Sequence, residues 1–191
     1  MRHDGAERML VCDMLSYLAA SLPQGLSAEA RVLALQCTLR SASSGLVHLP
    51  PGLTRGLAVH EPRLRWEELE GAGWLYLASG SAAWLVDPLL GTPGRRRRAR
   101  AADWALRAFR THGDRQLSAY VRLVAMALIA HTPPEETDGV SDMIQLARRC
   151  GLQPATLITA IQILVEHCAL AAWTLDHRTG DLAWITAPAS E

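Results

Sequence analysis

Residues 141–170, SDMIQLARRCGLQPATLITAIQILVEHCAL, followed by residues 173–185, WTLDHRTGDLAWI, run helix, tight turn, helix and β-hairpin without a gap. Ile144, Leu146 and Ala147 give the first helix its apolar positions, and Gly151 punctuates the turn. In the second helix Leu157, Ala160, Ile161 and Leu164 recur at spacings of three and four, which places them on one face. Ser141 is the expected N-cap of the first helix, and Pro154 stands where a first helical turn tolerates proline. After Leu170 the period changes to alternation, with Trp173, Leu175, Leu182, Trp184 and Ile185 on either side of the turn Asp176-His177-Arg178-Thr179-Gly180.

Upstream of this stretch, Leu117, Tyr120, Val121, Val124, Leu128 and Ile129 predict a helix over about 115–131, and His131 to Gly139 reads as an acidic, Pro-rich loop. The N-terminal block opens with an apolar helix at about 6–20, carrying Met9, Leu10, Met14, Leu15 and Leu18 and ended by Pro23 and Gly25. Ser27 starts a second helix that passes through Leu33 and Leu39 and stops near Gly45, and Leu46-Val47-His48-Leu49 alternates as a short strand. A helix with the stripe Pro62, Trp66, Leu69 and Gly73 follows, then strands at Trp74–Leu77 and Trp84–Val86 about a turn at Gly80-Ser81.

This second set resembles the bacterial pattern in which a recognition helix and the phrase "LExAGWL" lead into a wing, here Leu69-Glu70-Gly71-Ala72-Gly73-Trp74-Leu75. Both sets resemble the general winged helix-turn-helix class, and together they span about two thirds of the chain. The resemblance implies a mainly α fold with small β-wings, two winged helices in tandem. The expected division is residues 1–90 for the N-terminal helix and first winged helix, 91–114 for an Arg-rich linker and connecting helix, and 115–191 for the second winged helix.

A chain of 191 residues, 49% of them hydrophobic, has ample material for buried cores. The apolar runs are too short for a spanning helix and the N-terminus has no signal-peptide pattern, so no membrane partner is expected and the expected location is the cytoplasm, in association with the nucleoid. Cys12, Cys37, Cys150 and Cys168 lie far apart within apolar helical patterns, which predicts buried, reduced thiols and no metal site. There is no Gly-rich phosphate loop, no GxSxG and no HExxH, and the seven histidines are scattered, so neither an enzyme nor a cofactor is expected.

The net charge is zero, but its distribution is uneven, and every basic residue is Arg. Residues 1–90 carry seven Arg against nine acids, residues 91–115 eight against two, and residues 116–191 four against eight. The cluster Arg95, Arg96, Arg97, Arg98 and Arg100 is the densest positive charge, suited either to a phosphate backbone or to solvation as a linker. In the first winged helix Arg55, Arg63 and Arg65 lie on the expected DNA surface, where Glu61, Glu67 and Glu68 compete for Arg63 and Arg65. In the second, Gln153, Thr156 and Thr159 point away from the core stripe and are the candidate base contacts. Arg148 and Arg149 suit a phosphate contact or a helix C-terminus equally, and Arg178 tips the wing.

The resemblance implies a double-stranded-DNA-binding transcriptional regulator, dimeric through the apolar N-terminal helix. The uncharged second recognition helix, with Ile158 and Ile163 directed outward, fits a protein contact instead, as in the kleisin-associated subunits of chromosome-condensing complexes, which are also tandem winged helices. A plasmid-type replication initiator is a third architecture of this kind.

Overall fold

A computed structural model describes residues 4–187, apart from 51, 54–56, 58, 60, 80–81, 88–93 and 112–116. Its described elements run α1 (Gly5–Ser21), α2 (Ala28–Arg40), β1 (Leu46–His48), α3 (Pro62–Gly71), β2 (Leu75–Ser79), β3 (Ala82–Leu85), α4 (Arg95–Thr111), α5 (Ala119–His131), β4 (Asp138–Asp142), α6 (Met143–Cys150), α7 (Pro154–Glu166), β5 (Leu170–Leu175) and β6 (Asp181–Thr186). The strands form two antiparallel sheets of identical plan, ordered β1-β3-β2 and β4-β6-β5. In each sheet a strand placed before the last two helices, or in the first unit before α3, returns to pair with the second strand of the terminal hairpin.

Residues 141–170 fold as their spacing predicts except at Ile144, which is 51% exposed while Leu146, Ala147 and Cys150 form the buried side of α6. Leu157, Ala160, Ile161 and Leu164 are the buried residues of α7, and Gly151 caps α6 in the left-handed region at φ 67°. A Cβ at Gly151 would overlap the Arg31 guanidinium, which reaches across from α2, so glycine is required there for space as well as for φ.

Two details differ from expectation at the start of this stretch. The N-cap of α6 is Asp142, whose Oδ1 accepts from the Gln145 N–H at 2.7 Å, and Ser141 sits one residue earlier in β4 opposite Leu182. The end of the expected acidic loop is therefore a strand. Asp138 and Gly139 are poor strand formers by propensity, and a period of two cannot be read across a glycine. Gly139 is nonetheless fitted to its place, because the Trp184 indole occupies the volume a Cβ would take. That indole is 1% exposed, and its N–H donates to Thr132 Oγ1 at 3.0 Å.

The first unit is tied together differently. Ser27 caps α2, its Oγ accepting from Ala30 N–H at 3.1 Å, and every residue from Ala30 to Leu39 is buried. Helix α5 is likewise buried without a break from Val121 to Leu128. A helix apolar on all sides belongs in the interior of a larger core. Both helices take that position, with α4 packed against α1, α2 and α5, and α1 packed against α2, α4, α5 and α6. A single apolar cluster runs through both units.

This packing changes the reading of two segments. Helix α1, expected across a dimer partner, buries Leu10, Val11, Met14, Leu15 and Leu18 within its own chain. The arginine run, expected as a linker ahead of the connecting helix, is the first turn of α4, where Arg97 and Arg98 N–H donate to the Gly94 carbonyl at 2.9 and 3.2 Å. Four cations at the positive end of a helix dipole oppose this at about 0.3–1 kcal/mol each. Arginine's good helix propensity and the burial of Ala101, Ala102, Trp104, Ala105 and Phe109 outweigh that cost.

Candidate nucleic-acid interface

The candidate cations separate by what they touch. Arg65 is turned inward, with its side chain 20% exposed, and forms ion pairs at 2.9 Å with both Glu29 and Glu68. Glu68 in turn accepts from the backbone N–H of Ser27 and, at 2.8 Å, from its hydroxyl. The carboxylate of α3 thereby sits on the N-terminus of α2, where the dipole favours it. Burial alone would raise the Glu68 pKa, but the hydrogen bonds from Ser27 and Arg65 and the Arg65 charge more than offset this and the net shift is downward. Arg65 is therefore a clamp between α3 and α2. Its competitor reading, pairing with neighbouring acids, describes the geometry and extends to Glu29 on another helix.

Arg63 is 93% exposed and pairs with Glu67 one turn on, at 2.9 Å. On the same helix Glu70 Oε1 accepts from Leu77 N–H at 2.9 Å, joining α3 to β2. The solvent face of α3 thus carries Glu67 and Glu70 beside Arg63. Arg55 lies outside the described residues.

In the second unit Arg149 also turns inward. Its Nε donates to Ser16 Oγ on α1 at 3.0 Å, and Nη1 donates to His131 Nε2 on α5. Arg148, its neighbour, is exposed. Gln153 and Thr159 are exposed and Thr156 is half-buried, and the Thr159 hydroxyl donates back to the Ala155 carbonyl at 3.0 Å. Arg178 is exposed at the tip of the β5–β6 hairpin, its N–H bonded to Asp176 Oδ1 at 2.8 Å in an Asx-type turn.

The arginines of α4 divide in the same manner. Arg100 pairs with Glu7 of α1 at 2.8 Å, and Arg98 donates to Ser41 Oγ beyond the end of α2 at 3.3 Å. Arg97 is half-buried. Arg95 and Arg96 are exposed and form no ion pair among the described residues. Among the described residues, the cations that face solvent without an anionic partner are thus Arg95 and Arg96 on α4, Arg148 on α6 and Arg178 on the second hairpin.

The apolar surface also departs from expectation. Ile158 and Ile163 are half-buried and pack against the core. The exposed large side chains are divided between helices, with Met9 on α1, Leu64 on α3 and Ile144 on α6, and the strands. Leu46, Trp84 and Tyr76 form one cross-strand row, and Trp84 is 44% exposed. Val140 and Ile185 flank a hollow of about 240 Å³ floored by Ala172, Thr174 and Ala183. The alternation of β3 carries the signal for Trp84, since Ala83 and Leu85 on either side of it are buried.

Three of the four cysteines follow their expected placement. Cys37 and Cys150 are fully buried, with burial raising the Cys150 thiol to about 12, and Cys12 is partly buried and raised to about 11. Cys168 is exposed at φ 55°, just past α7. Cys12 Sγ lies 3.6 Å from His131 Nδ1, but its upward shift is opposite to that of an activated thiolate nucleophile. Among the described residues no group of His, Cys, Asp and Glu is arranged to hold a metal ion, and no helix is long and apolar enough to cross a membrane.

Comparison of the chain with protein-family models, with curated proteins and with solved structures gives no match.

Proposed function

We propose that the two repeated units are winged helix-turn-helix domains, and that the chain is a double-stranded-DNA-binding regulator whose affinity comes from the first turn of α4. The described order helix, strand, helix, hairpin in the first unit and helix, strand, helix, helix, hairpin in the second, with the matching strand pairings β1–β3 and β4–β6, supports the domain reading. The observation that carries the DNA reading is the pair Arg95 and Arg96, exposed without ion-pair partners among the described residues at the positive end of a helix packed against α1, α2 and α5. Charge and dipole there act in the same direction, drawing an anion such as backbone phosphate. Arg148 and Arg178 add outlying positive charge. Neither recognition helix supplies a strong base-reading set, because α7 has no cation and the arginines of α3 are held by glutamates. On this reading the protein discriminates weakly among sequences.

Fluorescence anisotropy with a random-sequence duplex tests this. Binding at low salt that weakens steeply as salt rises is expected, and no binding at low salt would end the DNA reading. A protein-binding adaptor is the second reading, favoured by the exposed row Leu46, Trp84 and Tyr76, since large exposed apolar patches mark interaction surfaces.

A further inference from the structure

One polar cluster takes no part in the proposed interface. It lies where α1, α5 and α6 meet, and its hydrogen bonds fix a protonation state. His131 Nδ1 lies 2.7 Å from the Ala127 carbonyl, which can only accept, so Nδ1 carries the proton. Nε2 faces Arg149 Nη1, which can only donate, so Nε2 presents its lone pair. The same guanidinium donates through Nε to Ser16 Oγ, and Ser16 Oγ–H donates to the Cys12 carbonyl at 3.0 Å. The chain of bonds thus links the last turn of α5, the last turn of α6 and the middle of α1, and it holds only while the imidazole is neutral.

We propose that His131 is a proton-sensitive latch: protonation turns Nε2 from acceptor to donor against the Arg149 guanidinium, breaks the link and loosens α6 from α1. The contact cannot be rearranged to suit the imidazolium, because Arg149 has no lone pair to offer and a second positive charge would stand beside the first. The other groups around the ring leave the charge uncompensated. From α1 comes Cys12, whose thiol is held neutral by burial, while the neighbouring Asp13 is turned to solvent; from α6 comes Arg149. Arg8 of α1 donates to the carbonyl of Thr132, the next residue, and Glu135 and Glu136 beyond it are exposed.

Burial lowers the His131 pKa from 6.5, and the Arg149 charge adds to this against the opposing Ala127 hydrogen bond. The sign follows from linkage. With its folded pKa below 6.5, His131 contributes stability that is complete above that value and is lost as pH falls toward the folded pKa. Each unit of separation corresponds to about a tenfold weakening of the latch. The device does not depend on the DNA reading, and it would release Arg149 toward solvent beside Arg148 in acid.

The test is amide hydrogen exchange of the full chain, corrected for intrinsic rates, alongside NMR titration of the histidine C2 protons. The expected result is that protection of α6 falls with the same midpoint as the His131 titration, that this midpoint lies below 6.5, and that His131→Gln removes the pH dependence while keeping protection at neutral pH. Arg149→Gln should move the His131 titration upward. Should His131→Gln fail to fold, the wild-type coincidence of midpoints and the Arg149→Gln shift decide the matter. Exchange of α6 that ignores the His131 titration, or full pH dependence retained in His131→Gln, would overturn the latch.

Discussion

The two units share a strand order but hold their last helix in opposite ways. In the second, α7 is fastened by the apolar stripe Leu157, Ala160, Ile161 and Leu164, all at 0% exposure. In the first, α3 buries Trp66 and Leu69 and relies besides on the charged clamp of Arg65, Glu68, Glu29 and Ser27. One topology is therefore reached by burial of hydrocarbon in one copy and by a satisfied polar network in the other. Arg65 of α3 is thus committed to the fold and only Arg63 faces solvent, so counting the cations of that helix overstates its attraction for phosphate.

The largest effect should come where the units meet. Gly151→Ala places a Cβ in the left-handed region and against the Arg31 guanidinium, and should destabilise the chain by about 3 kcal/mol or more in urea unfolding. The double variant Gly151→Ala with Arg31→Ala should cost less than the sum of the two single changes, and additivity would show that the two residues do not press on one another. Next, Ile161→Ala in the second unit should cost about 2–5 kcal/mol, from lost transfer and a cavity. Replacing Arg65 by Ala in the first should cost about 1–3 kcal/mol, as the loss of hydrogen bonds to charged groups.

Acid separates the units further. Glu68 has a lowered folded pKa, so its contribution is complete above the ordinary carboxylate value of 4.5 and is lost as pH falls through the lowered value. Arg65→Ala should flatten the acid limb of the stability curve below pH 4.5, whereas Ile161→Ala should shift the curve without changing its shape. Equal acid limbs in the two variants would contradict the contrast drawn between clamp and stripe.

The same contrast explains what could be read from the sequence. The four residues of the α7 stripe, the cap at Ser27 and the hairpin about Asp176–Gly180 announce themselves because each depends on near neighbours. Strand β4 does not, since Gly139 is placed by the indole of Trp184, 45 residues away. The inward turns of Arg65 and Arg149 depend on Glu29, Ser16 and His131, none of them on the same helix, and local spacing carries no trace of such partners. The helical state of Arg95–Arg98 was obscured for a related reason. Charge repulsion at a dipole's positive end argues against a helix there, and only the packing of Trp104 and Phe109 downstream decides otherwise. The candidate site was thus legible as a composition, an excess of arginine, and its geometry was not.

On the proposed function, attraction for DNA resides in the connecting helix α4 and not in α3 or α7. Its most direct test compares salt slopes for one random duplex across two variants, Arg95→Ala with Arg96→Ala, and Gln153→Ala with Thr156→Ala and Thr159→Ala. The first should lower the log–log slope by about 0.9 for each phosphate contact removed and weaken binding by more than about tenfold, while the second should change affinity less than about threefold. Loss of binding in the second variant with an unchanged slope in the first would contradict it.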